Sequence, residues 1–153
     1  MDVYDNLKAL GIELPPPPQK GGVYVPVKVF NGNLLYFSGC GPNIGEKKFI
    51  GKLGETVSLE EGQLACRNCI LNILSAIQAE IKDLNRIKSF VKILVFVASS
   101  PDFYSQPAVA NGATKLLVDI FGEKIGLPTR SAIATNVLPD NIAVEIEGIV
   151  EFA

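Results

Sequence analysis

The chain predicts an α+β domain in which two helices pack on one face of a mixed β-sheet of four to six strands. Three observations lead there. Short stretches rich in β-branched residues alternate or run continuously apolar, as in Val23–Phe30, Leu34–Ser38 and Lys88–Ala98. Two longer stretches instead repeat their apolar residues every three or four positions, the period of an amphipathic helix. Their order is strand, strand, helix, strand, helix, strand, strand, which segregates helices to one side of a sheet.

Each element has a local reason. Residues 1–14 predict a short amphipathic helix or turn with Leu7, Leu10 and Ile12 apolar, and Pro15 to Pro18 an extended polyproline lead-in. Residues 1–20 read as an N-terminal extension and 21–153 as a single domain. After the strand Val23–Phe30, Asn31-Gly32 supplies residues that tolerate positive φ in a tight hairpin, and Leu34–Ser38 returns as its partner. Cys40 to Val57 is a loop, with a short strand near Phe49. Ser58-Leu59-Glu60-Glu61 has the capping-box pattern, and the helix it opens aligns Cys66, Ile70, Ile73, Ile77 and Ile81 before stopping near Lys82. Lys88–Ala98 has a near-continuous apolar centre, the mark of a strand covered on both faces. Ser100-Pro101-Asp102 turns the chain into a second helix, Pro107 to about Phe121, ended by Gly122. Arg130–Asn136 and Asn141–Phe152 complete the sheet, joined as a polar hairpin at Leu138-Pro139-Asp140. With both helices used on one face, the other face needs a cover, and self-association is the simplest one.

Composition narrows the function. With 153 residues and 48% hydrophobic content, the chain is long enough for one well-buried core. A net charge of -2 without a basic cluster argues against nucleic acid and anionic membrane surfaces. No apolar run nears the ~20 residues that span a bilayer, and the start Met1-Asp2-Val3-Tyr4-Asp5 lacks the basic-then-apolar pattern of a signal peptide. A soluble cytoplasmic protein is the expectation. There is no histidine, which removes serine–histidine and cysteine–histidine nucleophilic machinery and most zinc chemistry. Neither metal nor cofactor is expected. Cys66-Arg67-Asn68-Cys69 sits inside a helix with its own cap, so it reads as buried packing rather than a redox or zinc motif. Gly39-Cys40-Gly41-Pro42 reads as a turn, with no phosphate-loop lysine at the required spacing.

The candidate chemistry rests on Arg130 and Glu145. Arg130 opens an apolar strand, Ala132-Ile133-Ala134, and a permanent cation there needs an anionic partner. That partner can be Glu145 or another carboxylate of the chain, or it can be a substrate. Glu145 and Glu147 share one face of the last strand. Either they form a solvated face, or Glu145 is a water-activating carboxylate and Glu147 a bystander.

The run Pro128-Thr129-Arg130-Ser131-Ala132-Ile133-Ala134-Thr135-Asn136-Val137-Leu138-Pro139, closed by Val144-Glu145-Ile146-Glu147, resembles the signature of the RidA family. These are YjgF-type reactive-intermediate imine/enamine deaminases, also called L-PSP endoribonucleases. Gly22-Val23-Tyr24, Ser38-Gly39 at the end of the second strand, Val95-Phe96-Val97 and Asn111 opening a helix fall in matching order, so the resemblance spans roughly residues 20–151. It implies a chorismate-mutase-like fold and a homotrimer with a barrel-like core and sites at subunit interfaces. It further implies that Arg130 grips a substrate carboxylate, that backbone around Ala132 contacts the reacting imine and that Asn111 orders the site. Glu145 then activates water beside Tyr24 and Ser38. Tyr24 could equally be packing and Asn111 a helix cap. Many members carry cysteine where this chain has Ala132, Asn136 is atypical, and residues 1–20 and the loop 42–57 are longer than usual.

Together these features imply cofactor-independent hydrolysis of 2-imino acids, tautomers of enamines such as 2-aminoacrylate, to 2-oxo acids and ammonia. The alternative is a non-catalytic protein that binds a small carboxylate for regulation. A third and weaker reading is an endoribonuclease, which fits poorly with a chain lacking histidine and a basic cluster.

Overall fold

The computed structural model describes residues 2–153; Met1, the first residue of the N-terminal helix predicted over 1–14, lies outside them. The strands are β1 (Val27–Phe30), β2 (Leu34–Cys40), β3 (Ile87–Ala98), β4 (Thr129–Thr135) and β5 (Val144–Phe152). The helices are α1 (Val3–Ala9), α2 (Leu59–Ile81), α3 (Gln106–Phe121) and the single turn α4 (Glu123–Gly126). The strands form one mixed sheet in the order β1-β2-β5-β3-β4, and the two long helices cover one face, as predicted.

The α2 helix follows from its sequence. Ser58 accepts a hydrogen bond from the Glu61 amide while the Glu61 carboxylate accepts one from the Ser58 amide, closing the capping box. Its buried face, which includes Cys66, Cys69, Ile70, Ile73 and Ile77, lies on the sheet and on α3. Gly112 of α3 touches the backbone of Gln63, and a Cβ there would overlap the Gln63 carbonyl, so glycine sets how closely the two helices cross.

The sheet alternates cleanly. On β5, Val144, Ile146, Gly148, Val150 and Phe152 are buried under the helices, while Glu145, Glu147, Ile149 and Glu151 point to the opposite face. That face also carries Leu94 and Phe96 of β3, Ile133 of β4 and Tyr36 of β2, partly or largely exposed.

Four expectations are corrected. The first strand covers only 27–30 rather than 23–30, because Pro26 has no amide to pair and the chain before it leaves the sheet. The last two strands are not a hairpin: β4 pairs parallel with β3, β5 pairs antiparallel with β3, and β3 lies between them. The final strand starts at Val144, since Asp140 and Asn141 take positive φ in the preceding turn. Asn111 does not open a helix. Ser105 is the N-cap of α3, and Asn111 lies in the helix interior.

The proline-rich segment has no regular hydrogen-bonded structure, as expected, yet it is fastened at several points. Buried Ser75 donates to the Pro15 carbonyl at 2.7 Å. Upstream, the Tyr4 hydroxyl accepts from the Leu84 amide, and Asn6 donates to the Ile120 carbonyl. The extension therefore follows α2 toward the start of β1 instead of hanging free.

Candidate functional site

The predicted site residues divide into two groups on different faces of the sheet. Arg130 lies on β4 in register with Ile93, a helix-side residue, so its side chain points toward the helices. There it donates to Asn111 Oδ1 at 2.8 Å and to Thr114 Oγ1 at 3.4 Å. Its charge reaches Cys66 of α2, opposing the burial that pushes that thiol up to about 12. Ala132 follows on the same face, paired with Val95 and packed against the core. Both oxygens that hold the guanidinium are neutral. Among the described residues the one ion pair joins Lys115 to Asp119, so the possible pairing of Arg130 with Glu145 does not occur within the chain. Thr114 was not predicted; its place one helical turn after Asn111 is the signal that could have found it.

The second group surrounds Glu145. This residue pairs with Phe96 on the face away from the helices and lines a cavity of about 660 Å³ with Tyr24, Ser38 and Glu147. A smaller hollow of about 100 Å³ adjoins it beside Lys20 and Ser38. The cavity forms ahead of the first residue of β1. Val27 pairs with Phe37, and among the described residues the sheet edge from Ser38 to Cys40 is met only by hydrogen bonds from Ser38 to the Val25 and Pro26 carbonyls. A bulge between Phe37 and Cys40 turns Gly39 toward Glu145. A Cβ at Gly39 would overlap Glu145 Oε1, so this glycine makes room for the carboxylate. Partial burial, with help from the Glu147 charge, holds the Glu145 carboxyl above the usual glutamate range.

Hydroxyls in this group have defined directions. Ser38 donates its hydroxyl proton to the Val25 carbonyl at 2.7 Å, leaving lone pairs for the cavity. The Tyr24 oxygen accepts from the Gly21 amide at 3.0 Å, so its own proton is available to a ligand. Glu147, read as a bystander, lines the same cavity and accepts from the Tyr36 hydroxyl at 3.1 Å. That bond, more than burial, raises the Tyr36 pKa. Tyr36, two residues before Ser38 on the strand, was also missed. Burial pushes the Cys40 thiol up to about 12, with a smaller push from Glu145, so it is not a thiolate nucleophile.

Arg130 and Glu145 are thus two strands apart, roughly 10 Å by strand spacing, and on opposite faces. One small molecule cannot touch both within a single chain.

The chain is thus a histidine-free α+β domain whose edge-strand Arg130 has no carboxylate partner among the described residues and whose half-buried Glu145 lines an open cavity. The family described as Endoribonuclease L-PSP matches residues 17–152, and the chain belongs to that family, the YjgF/RidA family. Protein TCP17 of Trypanosoma cruzi is 42% identical over 147 residues, spanning 95% of this chain and 91% of TCP17. The crystal structure of Atu1372, a protein of unknown function from Agrobacterium tumefaciens, is 38% identical, superposes with a TM-score of 0.90 and covers 99% of this chain and 92% of its own. The YjgF gene product of E. coli shares the fold at 21% identity and a TM-score of 0.58, over 90% of this chain and 93% of its own.

Proposed function

We propose that the protein hydrolyses 2-imino acids, the tautomers of reactive enamines, to 2-oxo acids and ammonia without a cofactor. The observation that carries the reading is Arg130, a guanidinium held by two neutral oxygens with no carboxylate partner among the described residues. A fork of donors left unneutralised beside a helix matches a visiting carboxylate. Because Arg130 and Glu145 cannot meet in one chain, the working site joins Arg130 and Ala132 of one copy to the Glu145 cavity of another, in a homotrimer as family resemblance implies. The open sheet face, with Leu94, Phe96 and Ile133 on it, gives a second copy an apolar surface to cover.

Chemistry follows from the groups present. Arg130 fixes the carboxylate, and the backbone at Ala132 contacts the imine nitrogen. Glu145 in its ionised form accepts a proton from water as the oxygen adds to the imine carbon. Tyr24, whose hydroxyl proton is available, donates toward the nitrogen, and Ser38 accepts from an N–H. The adduct then expels ammonia as the carbonyl forms, so one water supplies the oxygen and two hydrogens. An imine is already electrophilic, and positioning with electrostatics suffices for the added rate.

The test uses 2-imino acids made in situ by an amino-acid oxidase. The protein speeds ammonia release above the uncatalysed rate, and Glu145→Gln removes that gain, about 10²–10⁴-fold, while a 2-oxo acid still binds. Absence of acceleration by the wild-type protein with every imino acid tried, together with retained 2-oxo acid binding, would favour a non-catalytic carboxylate-binding protein.

A further inference from the structure

We infer that the N-terminal segment, residues 2–18, is a strap that positions Tyr24, and that Ser75 of α2 is a positioning residue acting through it. This rests on the hydrolase reading above, in which the Tyr24 hydroxyl donates toward the imine nitrogen, and adds what holds that hydroxyl in place. Residues 1–16 precede the span shared with the family, so resemblance gives them no part in the site.

Tyr24 has little of its own to hold it. The residue is 42% exposed, and it follows Gly21-Gly22, where the backbone is least restricted. Among the described residues, the only hydrogen bond within 16–24 is local, from the Gly21 amide to the Tyr24 hydroxyl. The position of the segment is therefore set at its two ends. Downstream, Ser38 donates to the Val25 and Pro26 carbonyls at 2.7 and 2.8 Å. Upstream, buried Ser75 donates to the Pro15 carbonyl at 2.7 Å, closer than its other acceptor, the Leu71 carbonyl at 3.0 Å.

Stiffness links the upstream anchor to the site. Leu14, Pro15, Pro16 and Pro17 each precede a proline, which holds them in extended conformations. A run of this kind advances about 3 Å per residue, so the anchor at Pro15 is carried about 9 Å to Pro18 by a rod rather than a slack tether. Pro18 lines the Glu145 cavity together with Tyr24 and Ser38. At its other end the strap has a firm root in α1. Val3 and Leu7 are buried, the Tyr4 hydroxyl accepts from the Leu84 amide at 2.9 Å, and Asn6 donates to the Ile120 carbonyl at 2.7 Å.

Pro16 and Pro17 are exposed, so replacing both by glycine softens the rod without entering the core. Pro16→Gly combined with Pro17→Gly, and separately Ser75→Ala, should each lower kcat for 2-imino acid hydrolysis about tenfold. KM, set by the grip of Arg130 on the carboxylate, should change less than about twofold. In a Tyr24→Phe background neither change should reduce kcat further, which separates positioning of Tyr24 from a general loss of stability. The glycine variant serves if Ser75→Ala fails to fold. Tyrosine ring-carbon NMR reads the same coupling without catalysis. The Tyr24 resonance, assigned by its loss in Tyr24→Phe, should shift in the glycine variant, while that of exposed Tyr104, between β3 and α3, stays in place. An unchanged kcat, or losses that add to those of Tyr24→Phe, overturns the strap and leaves the hydrolase reading standing. Absence of hydrolysis by the wild-type protein overturns that reading instead; an unmoved Tyr24 resonance then overturns the strap as well, and a shifted one upholds the anchoring of Tyr24.

Discussion

The two halves of the candidate site solve opposite problems. On β4, a positive charge is kept without a counter-charge: Arg130 is oriented by the Asn111 and Thr114 oxygens, neither of which neutralises it. On β5, negative charge is concentrated instead: Glu145 lies beside Glu147, partly buried, and is held above the usual glutamate range. Each half is electrostatically incomplete. Under the proposed reading, a substrate carboxylate completes the arginine half and a water the glutamate half.

Substitutions on the arginine side test this contrast with the largest expected effect on binding. Arg130→Lys keeps the charge but loses the planar fork, and should weaken binding of a 2-oxo acid about 10–100-fold. Titration calorimetry measures it, and unchanged affinity would mean that the carboxylate binds elsewhere. Asn111→Ala and Thr114→Val leave the guanidinium in place but unaimed. They should raise KM roughly 3–10-fold with little change in kcat, the cost of about one hydrogen bond each. Equal losses in both constants would instead point to a role in the chemical step.

Beyond the loss of activity expected of Glu145→Gln, the carboxylate side gives smaller, pH-dependent effects. Since Glu145 must be ionised to accept a proton, activity falls as pH drops through a value above the ordinary glutamate range. Glu147→Gln removes one of the two causes of that shift, so the acid limb of the kcat profile should move to lower pH by a fraction of a unit. The sign reverses for stability. A carboxyl whose folded pKa is raised contributes stability while it is protonated and loses that contribution as pH rises through the folded value. Glu145→Gln should therefore melt higher than wild type at neutral pH, with the difference closing toward acid; a wild-type advantage at neutral pH would contradict the assigned burial.

Much of the fold was legible because its signals are local. The Ser58–Glu61 capping box set the start of α2, Asn31-Gly32 set the β1–β2 turn with Asn31 and Gly32 both at positive φ, and the run Lys88–Ala98 announced an interior strand. What remained hidden was non-local. Nothing in the residues 130–152 reveals that β3 slots between β4 and β5, and that placement decides which face each strand residue takes. Arg130, Asn111, Glu145, Tyr24 and Ser38 could be named from the chain, but not Thr114 or Tyr36, nor that Arg130 and Glu145 point away from each other. That depends on parity across two registers rather than on spacing. Pro26 did carry a readable local signal, a missing amide, which the alternation around it masked. Glu147 looked idle because a period-two pattern distinguishes faces, not the neighbours that occupy them.

Complementation between two inactive variants tests most directly whether one site draws on two chains. Arg130→Ala and Glu145→Gln are each expected to be inactive alone in imine hydrolysis. Co-expressed in equal amounts, they should regain about a quarter of the wild-type rate, since a random contact joins an intact arginine half to an intact glutamate half in roughly one case in four. Mixed oligomers that form but stay as inactive as either parent would contradict the account.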